Sequence, residues 1–263
     1  METKNVVITG STRGIGFGLA SEFLKRGHNV ALNGTSVQRV ETALEKLSIF
    51  NNQVIGIAGN IVDPSTHDEL FDAMKQKFGS VDIWINNAGI SHRHQLAFDL
   101  TDEEVSSVID INVKGMMLGS LHVVRKMKEQ GFGKIFNMAG FGSDGRKMNK
   151  MTVYGTSKYA LSYFTESLSN EVKQLPIQVG TLSPGMVITD LITGSLDSIP
   201  IEEREQTKKI FNILGERVEV VTPYLVERML KSTKNNDKIS FLSGGKVMWK
   251  FLKSPFRKNN FFN

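Results

Sequence analysis

The chain has 263 residues, 40% hydrophobic and 22% charged, which suffices for a packed core and is ordinary for a globular protein. It contains no cysteine, so disulfides, thiolate catalysis and cysteine-held metals are excluded, and no metal site is expected. The net charge of +5 is unevenly placed: residues 231–263 hold eight Lys or Arg and one acid, leaving −2 on the rest, which argues against a nucleic-acid face spread over the fold.

The N-terminus runs straight into Val6-Val7-Ile8-Thr9 without the apolar core of a leader, and no window approaches eighteen successive apolar residues. A cytoplasmic protein is expected. Short Val/Ile-rich runs mark strands at Asn5–Thr9, Asn29–Asn33, Gln53–Ala58, Val81–Asn86, Gly133–Met138, Ile177–Leu182 and Lys238–Leu242. Between them lie helix-length segments at Ile15–Arg26, Val37–Phe50, Thr66–Phe78, Glu103–Gln130, Val153–Gln174 and Pro223–Ser232. The alternation predicts an α/β fold, a doubly wound parallel sheet with helices on both faces, in one domain over 1–243. Residues 184–215 interrupt the pattern after the sixth strand, and 244–263 form a basic, aromatic tail.

The first strand leads into Thr9-Gly10-Ser11-Thr12-Arg13-Gly14-Ile15-Gly16. Gly10 permits a tight turn, while Gly14 and Gly16 let backbone approach a diphosphate at the helix N-terminus. Alone, such a loop is a weak signal, with a plain strand-turn-helix as the alternative. The second strand ends at Asn33-Gly34-Thr35-Ser36, without the acid that holds ribose hydroxyls in NAD enzymes. With no carboxylate to repel a 2′-phosphate, and with Arg13 and Arg39 near, NADPH is the expected cofactor. For Arg39 a solvated helix face is an equal alternative.

Tyr154 and Lys158 stand one helical turn apart and share a face. A phenol ordinarily titrates near pH 10, and an adjacent ammonium is expected to lower that value by favouring the phenolate.

Together these motifs resemble the short-chain dehydrogenase/reductase family over nearly the whole chain. The matching pieces are Thr9–Gly16, Asn86-Asn87-Ala88-Gly89, Asn112, Tyr154 with Lys158, and Pro184-Gly185. The resemblance implies a Rossmann-type sheet of about seven strands and a catalytic set of Asn112, Tyr154 and Lys158, with Asn112 supporting a water relay. It implies a cofactor site of Gly10, Ser11, Arg13, Gly14, Ile15, Gly16, Ser36, Arg39, Asn60, Ile61, Asn87, Ala88, Gly89, Tyr154, Lys158, Pro184, Gly185, Val187 and Thr189. Asn60 and Ile61 would flank the adenine, and Val187 and Thr189 the nicotinamide amide. It also implies a homodimer or homotetramer. The family's catalytic serine is replaced by Gly140; Ser143, three residues later, is either its substitute or a loop residue.

A narrower resemblance, to chlorophyll b reductases, rests on Phe136-Asn137-Met138, the glycine-rich loop to Gly145, Val153–Lys158, Ser183–Leu191 and Ile210–Gly215. It implies reduction of a 7-formyl group or a related hydrophobic aldehyde. The alternatives are a reductase of a lipid, steroid or acyl ketone, and an NADPH-binding regulator without turnover. In the tail, Trp249, Leu252 and Phe256 either pack on the body or on a neighbouring subunit with the lysines in water, or join those lysines in peripheral membrane contact. Pro255 would interrupt a long helix there.

Overall fold

The computed structural model describes residues 2–189, 201–253 and 261, the side chains of 201–203 aside. Seven strands form one parallel sheet in the order β3-β2-β1-β4-β5-β6-β7. They are β1 (Asn5–Ile8), β2 (Asn29–Gly34), β3 (Val54–Ala58), β4 (Ile83–Asn86), β5 (Gly133–Met138), β6 (Ile177–Ser183) and β7 (Lys238–Ser240). Helices α1 (Gly14–Lys25), α2 (Val37–Lys46), α3 (Pro64–Phe78), α4 (Asp102–Ile109), α5 (Met116–Gln130) and α6 (Thr152–Glu171) connect the first six strands. They are followed by α7 (Ile201–Leu214), α8 (Val218–Lys231) and α9 (Gly244–Lys253).

Alternation along each strand builds the two cores. On β1, Val6 and Ile8 face Leu19 and Phe23 of α1 and Leu225 and Met229 of α8. Val7 faces the opposite way, toward Leu70 and Phe71 of α3 and Val123 of α5. The strand order reverses between β1 and β4, so their carboxyl ends diverge and open a crevice, the usual ligand position in such sheets.

Local chemistry sets the helix ends. Asp63 caps α3 by accepting from the Ser65 N–H at 3.0 Å, and Pro64 occupies the first turn, where its missing N–H is harmless. A reciprocal box of Thr101 and Glu104 opens α4. Glu104 also pairs with Arg93, at 2.8 Å to Nη2, tying the loop after β4 to that helix, and this pairing holds its carboxyl down at about 2.

The structure departs from the expected elements in three places. Glu103–Gln130 is not one helix: a π-helical turn at Asp110–Gly115 separates α4 from α5. The helix expected at Pro223 begins at Val218, with Pro223 inside it. Tertiary packing overrides the proline because Gly18 of α1 has no side chain: a Cβ there would overlap Val218. The stretch Val37–Phe50 is α2 followed by a separate 3-10 turn, Ser48–Phe50.

In the tail, packing of the aromatic residues on the body of the same chain is overturned for the residues described. Trp249 and Leu252 are exposed, whereas Lys250 is buried against the body. Phe256 and Pro255 lie outside the described residues, as does the part of the 184–215 region at 190–200, with Asp190 and Leu191. Among the described residues no helix is long and apolar enough to cross a membrane.

Candidate active site

The glycine loop takes the form a diphosphate needs. Gly10 and Gly14 adopt positive φ of 59° and 57°, conformations that disfavour any side chain. A Cβ on Gly10 would meet Ala88 Cα at 2.7 Å, so the loop lies directly on the chain leaving β4. Arg13 is the N-cap of α1 but makes no side-chain cap bond, which leaves the helix N–H groups to a ligand. These features fit a dinucleotide cofactor. Ile15 and Gly16 form the first turn of α1, and Thr189 stands over Gly14, its Cγ2 3.7 Å from where a Cβ would be.

Several residues expected to hold the cofactor have side chains that brace the loop around that site. Ser11 is fully buried; its hydroxyl donates to Ile8 O at 2.6 Å and accepts from Asn33 N at 3.0 Å. The Asn87 amide donates to Thr9 O and Gly10 O, both at 2.9 Å, while Thr9 Oγ1 accepts from the N–H of Asn87 and Ala88. Ile61 is buried against Gly115, leaving Asn60 as the exposed member of that pair. Val187 is also buried, and its segment pairs with Glu216 through Ile188 N at 2.9 Å. Pro184 is buried, and the exposed Gly185, at φ 76°, turns the chain against Leu242. Thr9, Asn33 and Gly115 escaped sequence reasoning, because their roles are long-range hydrogen bonds and packing.

At the end of β2, Ser36 caps α2 by accepting from Arg39 N. The Arg39 guanidinium donates to Thr35 Oγ1 at 3.3 Å, so the two side chains meet at the strand end. Thr35, Ser36 and Arg39 are all exposed.

The reacting end is assembled from α6, the π turn and the loop after β5. Asn112 is fully buried. Its amide donates to Ile90 O at 2.9 Å and Ser157 Oγ at 3.0 Å, and accepts from Ile90 N at 2.8 Å. Ser157 in turn donates to Tyr154 O at 2.6 Å. The π turn thus places Asn112 where one amide fastens the loop after β4 to the helix bearing Tyr154 and Lys158; such turns recur at functional sites. Sequence spacing pointed to neither the π turn nor Ser157.

Lys158 is buried, donates to Met138 O at 3.2 Å, and lies 5.8 Å from the centroid of the Tyr154 ring. Gly89 lies beside it: a Cβ there would be 3.4 Å from Lys158 Nζ and 3.2 Å from Asn112 Oδ1. The expected acidification of the phenol is absent. Burial raises Tyr154 to about 12 and lowers Lys158 to about 8. Desolvation penalises phenolate and ammonium alike and outweighs their attraction.

Gly140 stands where the family's serine would be, and a Cβ on it would overlap the Tyr154 hydroxyl and approach Lys158 Cε to 3.2 Å. The loop is pinned to α6: Ser143 N donates to Gly140 O at 3.1 Å and Ser143 O accepts from Ser162 Oγ at 2.8 Å. Gly142, at φ 91°, lets the loop backbone touch Gly155. The Ser143 hydroxyl makes no hydrogen bond with Tyr154 or Lys158, so the structure does not join it to the pair. Beneath the site, Asn86 and Asn137 link Trp84, Ser120 and Thr165 in a buried hydrogen-bond network across β4, β5, α5 and α6.

A family model described as short chain dehydrogenase matches residues 4–198. Chlorophyll(ide) b reductase NOL, chloroplastic, of Oryza sativa subsp. japonica is 37% identical over 254 residues, which is 92% of this chain and 72% of that protein. The 3alpha-hydroxysteroid dehydrogenase of Mediterraneibacter gnavus is 31% identical over 209 residues, 76% of this chain and 80% of that one. Among solved structures, the closed form of serine dehydrogenase complexed with NADP+ superposes with a TM-score of 0.78 at 20% identity, covering 90% of this chain and 94% of that one. The 3-ketoacyl-(acyl-carrier-protein) reductase from Brucella melitensis complexed with NADH gives 0.76 at 25% identity, over 94% and 99%.

Proposed function

The chain belongs to the short chain dehydrogenase family and is an oxidoreductase; from that premise we propose that it is an NADPH-dependent reductase of a hydrophobic aldehyde, the 7-formyl group of chlorophyll(ide) b or a close analogue. The observation that carries the reaction is the half-buried Tyr154 beside the buried Lys158, with desolvation keeping the phenol protonated throughout the neutral range.

When bound, the cofactor supplies the hydride. Tyr154 donates its proton to the oxygen that becomes an alkoxide. Lys158, still mostly protonated at pH 7, stabilises the phenolate that is left. Asn112 holds the loop after β4 in place, and with Lys158 it flanks Gly89, the side from which water would return a proton to the pair. Gly140 leaves room for the Tyr154 hydroxyl, and backbone N–H groups of the 140–145 loop are the remaining donors for the carbonyl oxygen. NADPH is favoured over NADH by Arg39 meeting Thr35 and by the lack of an acid at 33–36.

The substrate reading is supported by how far the likeness extends. Chlorophyll(ide) b reductases match 92–99% of the chain, whereas the steroid, gluconate and acyl-carrier relatives match 72–76%. The test is the absorption spectrum of chlorophyllide b with enzyme and NADPH, run beside a 3-ketosteroid and a 3-oxoacyl thioester. Conversion of the formyl band to that of the hydroxymethyl product supports the reading; turnover of only the ketones overturns it. We place the enzyme in the cytoplasm, although the rice and Arabidopsis relatives are chloroplastic by name, and cell fractionation tests this.

A further inference from the structure

Helix α9 is amphipathic in an inverted sense. At about 100° per residue, Phe251, Met248, Leu252 and Trp249 span an arc of roughly 160°, and Lys250 lies opposite its centre. The four apolar side chains are 48%, 66%, 71% and 55% exposed, respectively, while Lys250 is 5% exposed. Lys250 bonds Leu214 O at 2.9 Å and Glu216 at 2.7 Å, so the helix is fastened to the body by its cation and turns its apolar face outward. Two more lysines border that face. Lys253 lies over the Trp249 ring at 4.1 Å, and Lys246 over Tyr224 and Phe241 at 4.6 and 4.5 Å. Neither has a carboxylate partner among the described residues.

We propose that α9 is a docking face for an anionic lipid surface. Charge decides among occupants. From Phe241 to Asn263 the sequence has no acid and five cations, Lys246, Lys250, Lys253, Arg257 and Lys258.

 A second copy seated on this face would set cation against cation, whereas an anionic leaflet complements it. Exposed tryptophan and phenylalanine among lysines suit the headgroup boundary, where the rings enter the acyl region and the ammonium groups meet phosphate. The helix also adjoins the reacting end: Glu216, which holds Lys250, pairs with the Met186–Ile188 segment beside the cofactor crevice. Docking through α9 would therefore bring the mouth of the site to a bilayer, where a hydrophobic aldehyde partitions. The docking itself does not rest on the identity of that substrate.

The full chain is tested by sedimentation with phosphatidylcholine vesicles, with and without phosphatidylglycerol, while tryptophan emission is followed. Of the two tryptophans, Trp84 is fully buried, so a change reports on Trp249. The expected result is co-sedimentation and a blue shift with the anionic vesicles, suppressed by salt. Lys246→Gln with Lys253→Gln should weaken partition roughly twenty-fivefold, about fivefold for each charge lost near an anionic surface. Trp249→Ser with Leu252→Ser should abolish it, with the turnover of a water-soluble aldehyde retained as the check that the variant folds. No sedimentation with anionic vesicles overturns the proposal. So does equal binding to neutral vesicles that ignores the lysine changes, or a lipid-free blue shift that grows with protein concentration, which would mark a second copy as the occupant.

Discussion

Replacing Lys158 with Met should remove activity and yet stabilise the protein at neutral pH. Burial lowers the ammonium from 10.5 to about 8, which corresponds to about 3 kcal/mol of native-state destabilisation when the unfolded chain is fully protonated. Methionine fills a similar volume without that penalty. Its cost is the hydrogen bond to Met138 O, about 1 kcal/mol. The net gain at pH 7 is about 2 kcal/mol, or a rise in Tm of about 4–8 °C for a domain of this size. The pH dependence has a definite sign. Between about 8 and 10.5 the unfolded chain holds a proton that the native chain has released, so the parent gains stability as pH rises. The advantage of the variant is therefore full below about pH 8 and gone by about 10.5. Tyr154 titrates higher, and its contribution is common to both proteins in this comparison. Urea unfolding at pH 7 and pH 10, with unchanged slopes, measures the difference. A variant less stable than the parent at pH 7, or a difference constant across that window, would refute the reasoning.

Three further outcomes are expected. Catalytic efficiency with NADPH should exceed that with NADH by at least about tenfold, roughly 1.4 kcal/mol, and Thr35→Asp should narrow the gap by repelling the 2′-phosphate; steady-state kinetics with both cofactors decide it. Ser143→Ala should lower turnover by less than about threefold, because the loop backbone is pinned and the hydroxyl does not reach Tyr154; a fall of about a hundredfold would instead make it an oxyanion donor. The kcat/KM for reduction should fall above about pH 8 as Lys158 loses its proton, and Lys158→Arg should remove that inflection; a profile flat to pH 10 would contradict the assignment.

The sheet was legible because strands buried on both faces are short apolar runs, and each of the seven lies within two residues of its expected ends. The glycine loop and the Tyr154–Lys158 spacing were legible for the same reason: backbone approach and helical periodicity are local properties. What was not legible depends on distant partners. The π turn at Asn112 exists because its amide meets Ile90 and Ser157, and nothing in the run Asp110–Gly115 announces it. Ser11 and Asn87 carry the family pattern, but only the fold shows that their side chains brace the loop. The phenol's environment reversed the expectation because spacing reports that an ammonium is near, whereas burial of both groups sets the balance. In α9, composition gave the amphipathic mixture but not which face would turn inward, which Glu216 and Leu214 O decide by taking Lys250.

The central claim is that this chain moves a hydride from NADPH to a formyl carbon with Tyr154 as the proton donor. Its most direct test is single-turnover reduction of chlorophyllide b with NADPH deuterated at the transferring position, followed by mass spectrometry of the product. The account predicts one deuterium on the hydroxymethyl carbon with the parent protein and, with Tyr154→Phe, loss of nearly all product while NADPH still binds. Product without deuterium, or near-parental turnover by Tyr154→Phe, would contradict it.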